Sequence, residues 1–134
     1  ELPWRWKPAR VQQYIRTTDS TVIVSESEKL LSGFAITSFA EASAHISLLA
    51  VNPMFRRRGI ATSMIGWIMQ SCKVAGIGCI RLEVRLGNTG AIECYANLGF
   101  EKVGIRKLYY EGREDAQLMT LVLISPDREA QRPK

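Results

Sequence analysis

The chain is poor in the residues that build metal centres and disulfide frameworks. It has one histidine, His45, and three cysteines, Cys72, Cys79 and Cys94, in 134 residues. The cysteine count is odd and there is no C-x-x-C, so neither a paired disulfide scaffold nor a zinc site is expected. A lone histidine argues against a multi-histidine metal site. Uninterrupted apolar runs are only a few residues long, too short to span a bilayer, and no stretch has the layout of a signal peptide. There is no internal repeat and no low-complexity segment. These absences lead us to expect a reduced, cytoplasmic protein with no metal and no membrane contact.

What is present suits one folded domain. Apolar residues make up 46% and charged residues 23%, an ordinary globular balance. The length can bury a core without staples. We expect one domain over residues 1–124 and a polar tail over 125–134. The net charge of +5 suits an anionic partner, whether nucleic acid, an acidic cofactor or an acidic peptide.

Hydrophobic periodicity divides the chain. Residues 8–16, with Pro8 at the first turn, read as a short helix burying Val11, Tyr14 and Ile15. Alternation predicts strands over 21–25, 30–40 and 44–51, with a polar turn at 25–29. From Ile60 the apolar positions Ala61, Met64, Ile65, Ile68 and Cys72 follow a helical stripe that Gly76 and Gly78 end. Ile80 to Arg85 alternates as a strand. Asn88 can cap a helix over 89–98, stopped by Gly99. Strands over 101–110 and 116–124 finish the pattern. The strand–helix–strand unit of residues 44–85 requires its two strands to be parallel, so the sheet is mixed, mostly antiparallel, and α/β in class.

The first chemical candidate is Arg56-Arg57-Arg58-Gly59-Ile60-Ala61, between a strand and a helix. A helix N-terminus offers unpaired N–H groups and partial positive charge. Gly59 permits close backbone approach, and the arginines add charge and forked donors. This is a pyrophosphate cradle, although three adjacent arginines can equally form a solvated surface. The loop lacks the Lys-Ser/Thr ending of a nucleotide P-loop and the glycine spacing of a dinucleotide fold.

In this setting R-x-x-G-x-A resembles the acetyl-CoA motif of the GNAT acetyltransferases. Leu82-Glu83-Val84-Arg85, the N-x-x-A-I-x-x-Y-x-x-L-G-F stretch from Asn88 to Phe100, and Y-Y-x-x-x-R-E-D-A-x-x-M from Tyr109 to Met119 resemble the RimI-type branch. That branch acetylates protein N-termini, and its bacterial namesake modifies the N-terminal alanine of a ribosomal protein. The similarity spans roughly residues 31–123. It implies a GNAT fold whose central parallel strands splay apart, with flanking helices. It implies acetyl-CoA as cosubstrate and a protein N-terminus, such as that of a ribosomal protein, as acceptor. Against the family pattern the N-terminal strand and helix are missing. That would expose a sheet edge at residues 21–25, open to a partner or to a homodimer.

The resemblance assigns roles. Glu83 matches the general base and Tyr95 the general acid. Backbone groups of Leu49, Ala50 and Val51 would meet the pantetheine arm, and Arg56, Arg57, Arg58, Gly59, Ile60 and Ala61 the pyrophosphate. Asn88 and Tyr95 would also touch the cofactor, while Tyr109, Tyr110 and Asp115 would hold the acceptor.

The residues allow other readings. Glu83 alternates away from Ile80, Leu82 and Val84, so it can be a base or one rung of a salt-bridge ladder with Arg81 and Arg85. Tyr95 can be a core aromatic, and Asn88 a simple cap. Tyr109 and Tyr110 should lie on opposite strand faces, so at most one lines a given cleft. Glu114 is expected to close a turn. His45 can be an auxiliary base or structural. Cys94 beside Tyr95 is expected to be a small hydrophobe rather than a nucleophile.

An α-amino group titrates near about 7.7–8.0, against about 10.4 for lysine. The gap is worth about 3.5 kcal/mol, so a single carboxylate suffices more readily for a chain N-terminus. A small-molecule or lysine acetyltransferase is the alternative on the same fold. A non-catalytic module binding CoA or RNA is the alternative of another class. Only Phe55 accompanies the arginines, too few aromatics for a single-strand groove, so nucleic acid is not the expected partner.

Overall fold

The computed structural model describes residues 9–16 (backbone), 20–56 and 58–123. Among these residues, seven strands and two α-helices follow in the order β1 (Ala9–Arg16), β2 (Thr21–Ser27), β3 (Leu30–Phe39), β4 (Ser43–Val51), α1 (Ile60–Ala75), β5 (Cys79–Arg85), α2 (Thr89–Asn97), β6 (Glu101–Tyr110) and β7 (Glu114–Val122). They form one sheet in the order β1-β2-β3-β4-β5-β7-β6. Among the described residues, only β4 and β5 pair in parallel, and every other ladder is antiparallel. The expected mixed α/β sheet is the observed one.

The first element differs from expectation. Residues 9–16 form a strand, not a helix, and pair antiparallel with β2 from Ala9↔Ser27 to Arg16↔Thr21. Val, Ile and Tyr favour strands, and the neighbouring edge of β2 offers a ladder that an isolated two-turn helix cannot match. The edge expected to be open at residues 21–25 is therefore covered by β1. The homodimer argument built on that edge falls with it.

The core lies between one sheet face and the two helices. Met64, Ile65, Ile68 and Cys72 of α1 share one buried cluster with Ile23, Ala35, Ile46, Ile80 and Leu82 of the sheet, and Ile92 of α2 and Phe100 belong to the same cluster. Gly33 is the point of closest approach. A Cβ there would sit 2.8 Å from the Ala50 carbonyl oxygen and 3.0 Å from side-chain carbons of Ile60 and Met64. The small residue lets the start of α1 settle on the sheet beside β4. Among the described residues, no helix is long and apolar enough to cross a membrane.

Candidate active site

The site begins where β4 and β5 separate. Their ladder runs only from Ser43↔Cys79 to Ile46↔Leu82. At the next residue β4 carries an irregularity, because Thr37 pairs with Ile46 but Ile36 pairs with Leu48. Ser47 is the extra residue, and its hydroxyl donates to the Ile36 carbonyl at 3.2 Å. A bulge bends its strand and strengthens the local twist. Residues 47–51 thus leave β5, while Glu83, Val84 and Arg85 stay paired with β7. The gap is a cleft of about 800 Å³ between Ile46–Val51 on one wall and Leu82–Arg85 on the other, closed by residues of α2.

One arm of this cleft is mostly backbone. Asn52 stops β4, with its side chain accepting from Met54 N at 3.0 Å and donating to the Leu31 carbonyl at 3.1 Å. A single 3₁₀ turn, Pro53–Phe55, buries Phe55 and delivers the chain to Gly59. Gly59 adopts φ 75° and ψ 19° and gives α1 no side-chain cap. The first intrahelical bond runs from Ser63 N to the Gly59 carbonyl, so the N–H groups of the first turn lack acceptors within the helix. Leu49, Ala50, Val51, Arg56, Ala61 and Asn88 all line the cleft.

The remaining cofactor candidates are placed differently. Ile60 turns its side chain into the core. Arg58 stacks on Phe55 at 5.0 Å and reaches Glu28 at 3.9 Å, toward the β2–β3 turn. Arg57 lies outside the described residues. Asn88 is both a cap, accepting from Ala91 N at 3.2 Å, and a lining residue. An uncapped helix start, a left-handed glycine and a stretch of β4 that has left β5 while staying paired with β3 fit a long ligand that ends in phosphates.

The other arm is built of side chains. Glu83 projects from β5 away from buried Ile80, Leu82 and Val84. Its carboxylate meets His45 Nε2 at 2.7 and 3.0 Å and accepts from the Tyr109 hydroxyl at 3.2 Å. The salt-bridge ladder with Arg85 is not formed, because Arg85 turns to Glu114 at 2.7 Å and over the Tyr110 ring at 4.4 Å. Glu114 thus braces the end of the β6–β7 hairpin, as expected of a turn residue.

The tyrosine pair departs from simple alternation. Tyr109 and Tyr110 touch edge to face, with ring centroids 4.9 Å apart. Tyr109 reaches Glu83 while Tyr110 lines the cleft. The cause is a register shift between Arg106 and Tyr110, with Leu108 at φ 51°. Asp115 holds this irregularity: its Oδ1 accepts from Leu108 N at 2.8 Å, and Lys107 stands 3.8 Å from Oδ2. Asp115 is not part of the cleft wall. Its carboxylate shapes the hairpin that presents the tyrosines.

Tyr95 lines the cleft from α2 and packs at 5.8 Å against Phe100, so it is at once an aromatic of the core margin and a group of the site. Burial, with smaller contributions from Cys94 and Tyr110, pushes its phenol up to about 12. It therefore keeps its proton near neutrality. Burial likewise raises the Cys94 thiol and, with Cys79 adding to it, pushes buried Cys72 up to about 11. Neither is a poised thiolate.

Sequence reasoning did not connect His45 with Glu83, and it missed Ser47 and Leu48 as lining residues. The alternation of Ala44-His45-Ile46 against Leu82-Glu83-Val84 puts both polar side chains on the same kind of face. It does not give the register that brings them together.

The chain matches the family model described as Acetyltransferase (GNAT) family over residues 1–100. It is 30% identical over 134 residues to a [ribosomal protein bS18]-alanine N-acetyltransferase of Salmonella typhimurium, covering 90% of each chain. The corresponding Escherichia coli protein is 35% identical over 94 residues, 68% of this chain and 64% of that one. Among solved structures, the ribosomal-protein-S18-alanine N-acetyltransferase from Escherichia coli superposes with a TM-score of 0.74 at 27% identity, over 91% of this chain and 87% of that one. A GNAT family acetyltransferase from Elizabethkingia anophelis with acetyl-CoA bound shares the fold at a TM-score of 0.78 and 15% identity, over 87% and 99% of the two chains. The splayed parallel pair, the uncapped helix start and these relatives converge: the chain belongs to the GNAT acetyltransferase family and is an acetyl-CoA-dependent N-acetyltransferase.

Proposed function

We propose that this enzyme acetylates the N-terminal α-amino group of a cytoplasmic protein, in the manner its ribosomal-protein-alanine relatives are named for, and that residues 1–124 form its single catalytic domain. The observation that carries the reading is Glu83, mounted on the cleft wall where β4 and β5 part and joined there by Tyr109 and Tyr110.

The division of labour follows from the two arms. Backbone groups of residues 49–51 run along the pantetheine arm. The uncapped start of α1 and Arg56 face the pyrophosphate, where fixed N–H donors and a guanidinium meet negative charge. Glu83 takes the proton from the acceptor ammonium. The freed amine attacks the thioester carbon directly, the carbon–sulfur bond breaks as the carbon–nitrogen bond forms, and no enzyme-bound acyl group arises. Tyr95, protonated at working pH, donates its hydroxyl hydrogen to the departing sulfur, and the second proton lost by the nitrogen as the amide forms passes back to the phenolate. Tyr109 and Tyr110 flank the entry of the first acceptor residues.

An α-amino acceptor suits a lone carboxylate. Its ammonium is about 2.5 units more acidic than that of lysine. The test is a panel of short peptides beginning with alanine, set against polyamines, aminoglycosides and peptides whose only amine is lysine, with acetyl-CoA consumption as the readout. Peptides with a free α-amine should react fastest. Reaction confined to the small amines would overturn the N-terminal reading and leave the acetyltransferase one.

A further inference from the structure

Two side chains from other strands hold Glu83, and the proton transfer described above assigns no task to either. His45 comes from β4 and Tyr109 from β6, so the carboxylate is gripped from both sides of its own strand. The contact with His45 is the tighter: one ring nitrogen stands 2.7 Å from Oε1 and 3.0 Å from Oε2. An ionised carboxylate is acceptor-only, so an approach this close requires a hydrogen on Nε2. The side chains of His45 and Glu83 are 27% and 11% exposed, which limits the freedom of either to swing away.

We propose that His45 is a positioning residue of the reaction: its Nε2–H clamps the Glu83 carboxylate and fixes which oxygen takes the proton. This rests on Glu83 being the base. Among the described residues, Oε1 already accepts from both His45 and Tyr109, whereas Oε2 accepts from His45 alone. Oε2 is therefore the oxygen with acceptor capacity left for the incoming ammonium. His45 is itself placed by backbone ladders on both sides, opposite Ser38 on β3 and Arg81 on β5, within the last stretch where β4 and β5 are still paired. The ring sits on the rigid side of the divergence and reaches a base on its open side. The benefit is geometric. A free glutamate carries several rotatable bonds and must be ordered at a cost in entropy, and misplacement of a reacting group by about 1 Å can cost about 10²-fold in rate.

One measurement separates this role from an incidental contact, and a second tests the geometry it needs. The first uses His45→Ala and His45→Gln in steady-state turnover with whichever amine the wild-type enzyme accepts. Gln can place an amide N–H near the position of Nε2 but cannot titrate. His45→Ala should lower kcat by roughly tenfold to a hundredfold with little change in KM for acetyl-CoA, and His45→Gln should recover most of the loss. A kcat for His45→Ala within about twofold of wild type, or a Gln variant no better than Ala, would overturn the clamp.

The second needs no acceptor and no variant. His45 is the only histidine in the chain, so its imidazole nitrogen resonances are the only ones of their kind. At neutral pH they should show a hydrogen on Nε2, and a neutral ring protonated on Nδ1 alone would contradict the clamp. If no peptide is acetylated, the N-terminal reading fails, while the His45 variants assayed with another accepted amine still test the clamp.

Discussion

The two arms of the cleft diverge from the same pair of strands and are made of different material. The arm toward α1 presents backbone: residues 49–51 beyond the last β4–β5 pair, and the uncapped first turn behind Gly59. The arm toward β6 presents side chains: Glu83 gripped by His45 and Tyr109, with Tyr110 under Arg85. Backbone donors suit a cosubstrate that ends in phosphates. Side chains can be exchanged without disturbing the sheet, so the proposed function assigns acceptor specificity to this arm. The difference implies that binding and chemistry can be broken separately.

The largest effect is expected on the side-chain arm. Glu83→Gln should reduce kcat by about 10²–10⁴-fold and leave the affinity for CoA, read by calorimetry, near that of wild type. The backbone arm should give the converse. Gly59→Val places a β-branched residue at φ 75°, a left-handed conformation that costs an L-residue roughly 1–2 kcal/mol. It should weaken CoA binding by about tenfold, or roughly 1.4 kcal/mol, with Glu83 and His45 in place.

A smaller, pH-dependent effect comes from Tyr95 between the arms. Its folded value of about 12 lies above the ordinary 10.0. The unfolded chain releases this proton first, so the contribution to stability is intact below about pH 10 and drains as pH rises toward about 12. The wild-type Tm should fall more steeply across that window than the Tm of Tyr95→Phe. The smallest effect is expected from Glu114→Gln. Its partner Arg85 is half-exposed, and exposed pairs contribute little, so Tm and kcat should both stay near wild type.

The backbone arm was legible in the sequence because its signals are local. Asn52-Pro53, the arginine loop, Gly59 and the stripe from Ile60 to Cys72 mark a strand end and a helix start within about one turn of each other. Asn88 as cap and Gly76 as stop are local signals of the same kind, and the structure places both as expected. The side-chain arm depends on register and bulges, which no short window encodes. Strict alternation separates Tyr109 from Tyr110, but the irregularity held by Asp115 brings them together. His45 meets Glu83 only because the β4–β5 register closes at Ile46↔Leu82. The misread first element has a related cause: residues 9–16 are short and polar enough to suit either state, and the pairing with β2 decides.

The central claim is direct transfer from acetyl-CoA to a protein N-terminus with Glu83 as base. Mass spectrometry of an alanine-starting peptide that also contains lysine, incubated with acetyl-CoA and the enzyme, tests it most directly. A single acetyl group on the α-nitrogen with wild type, and almost none with Glu83→Gln at equal CoA affinity, is the predicted result. Acetylation of the lysine side chain alone, or undiminished α-acetylation by Glu83→Gln, would contradict it.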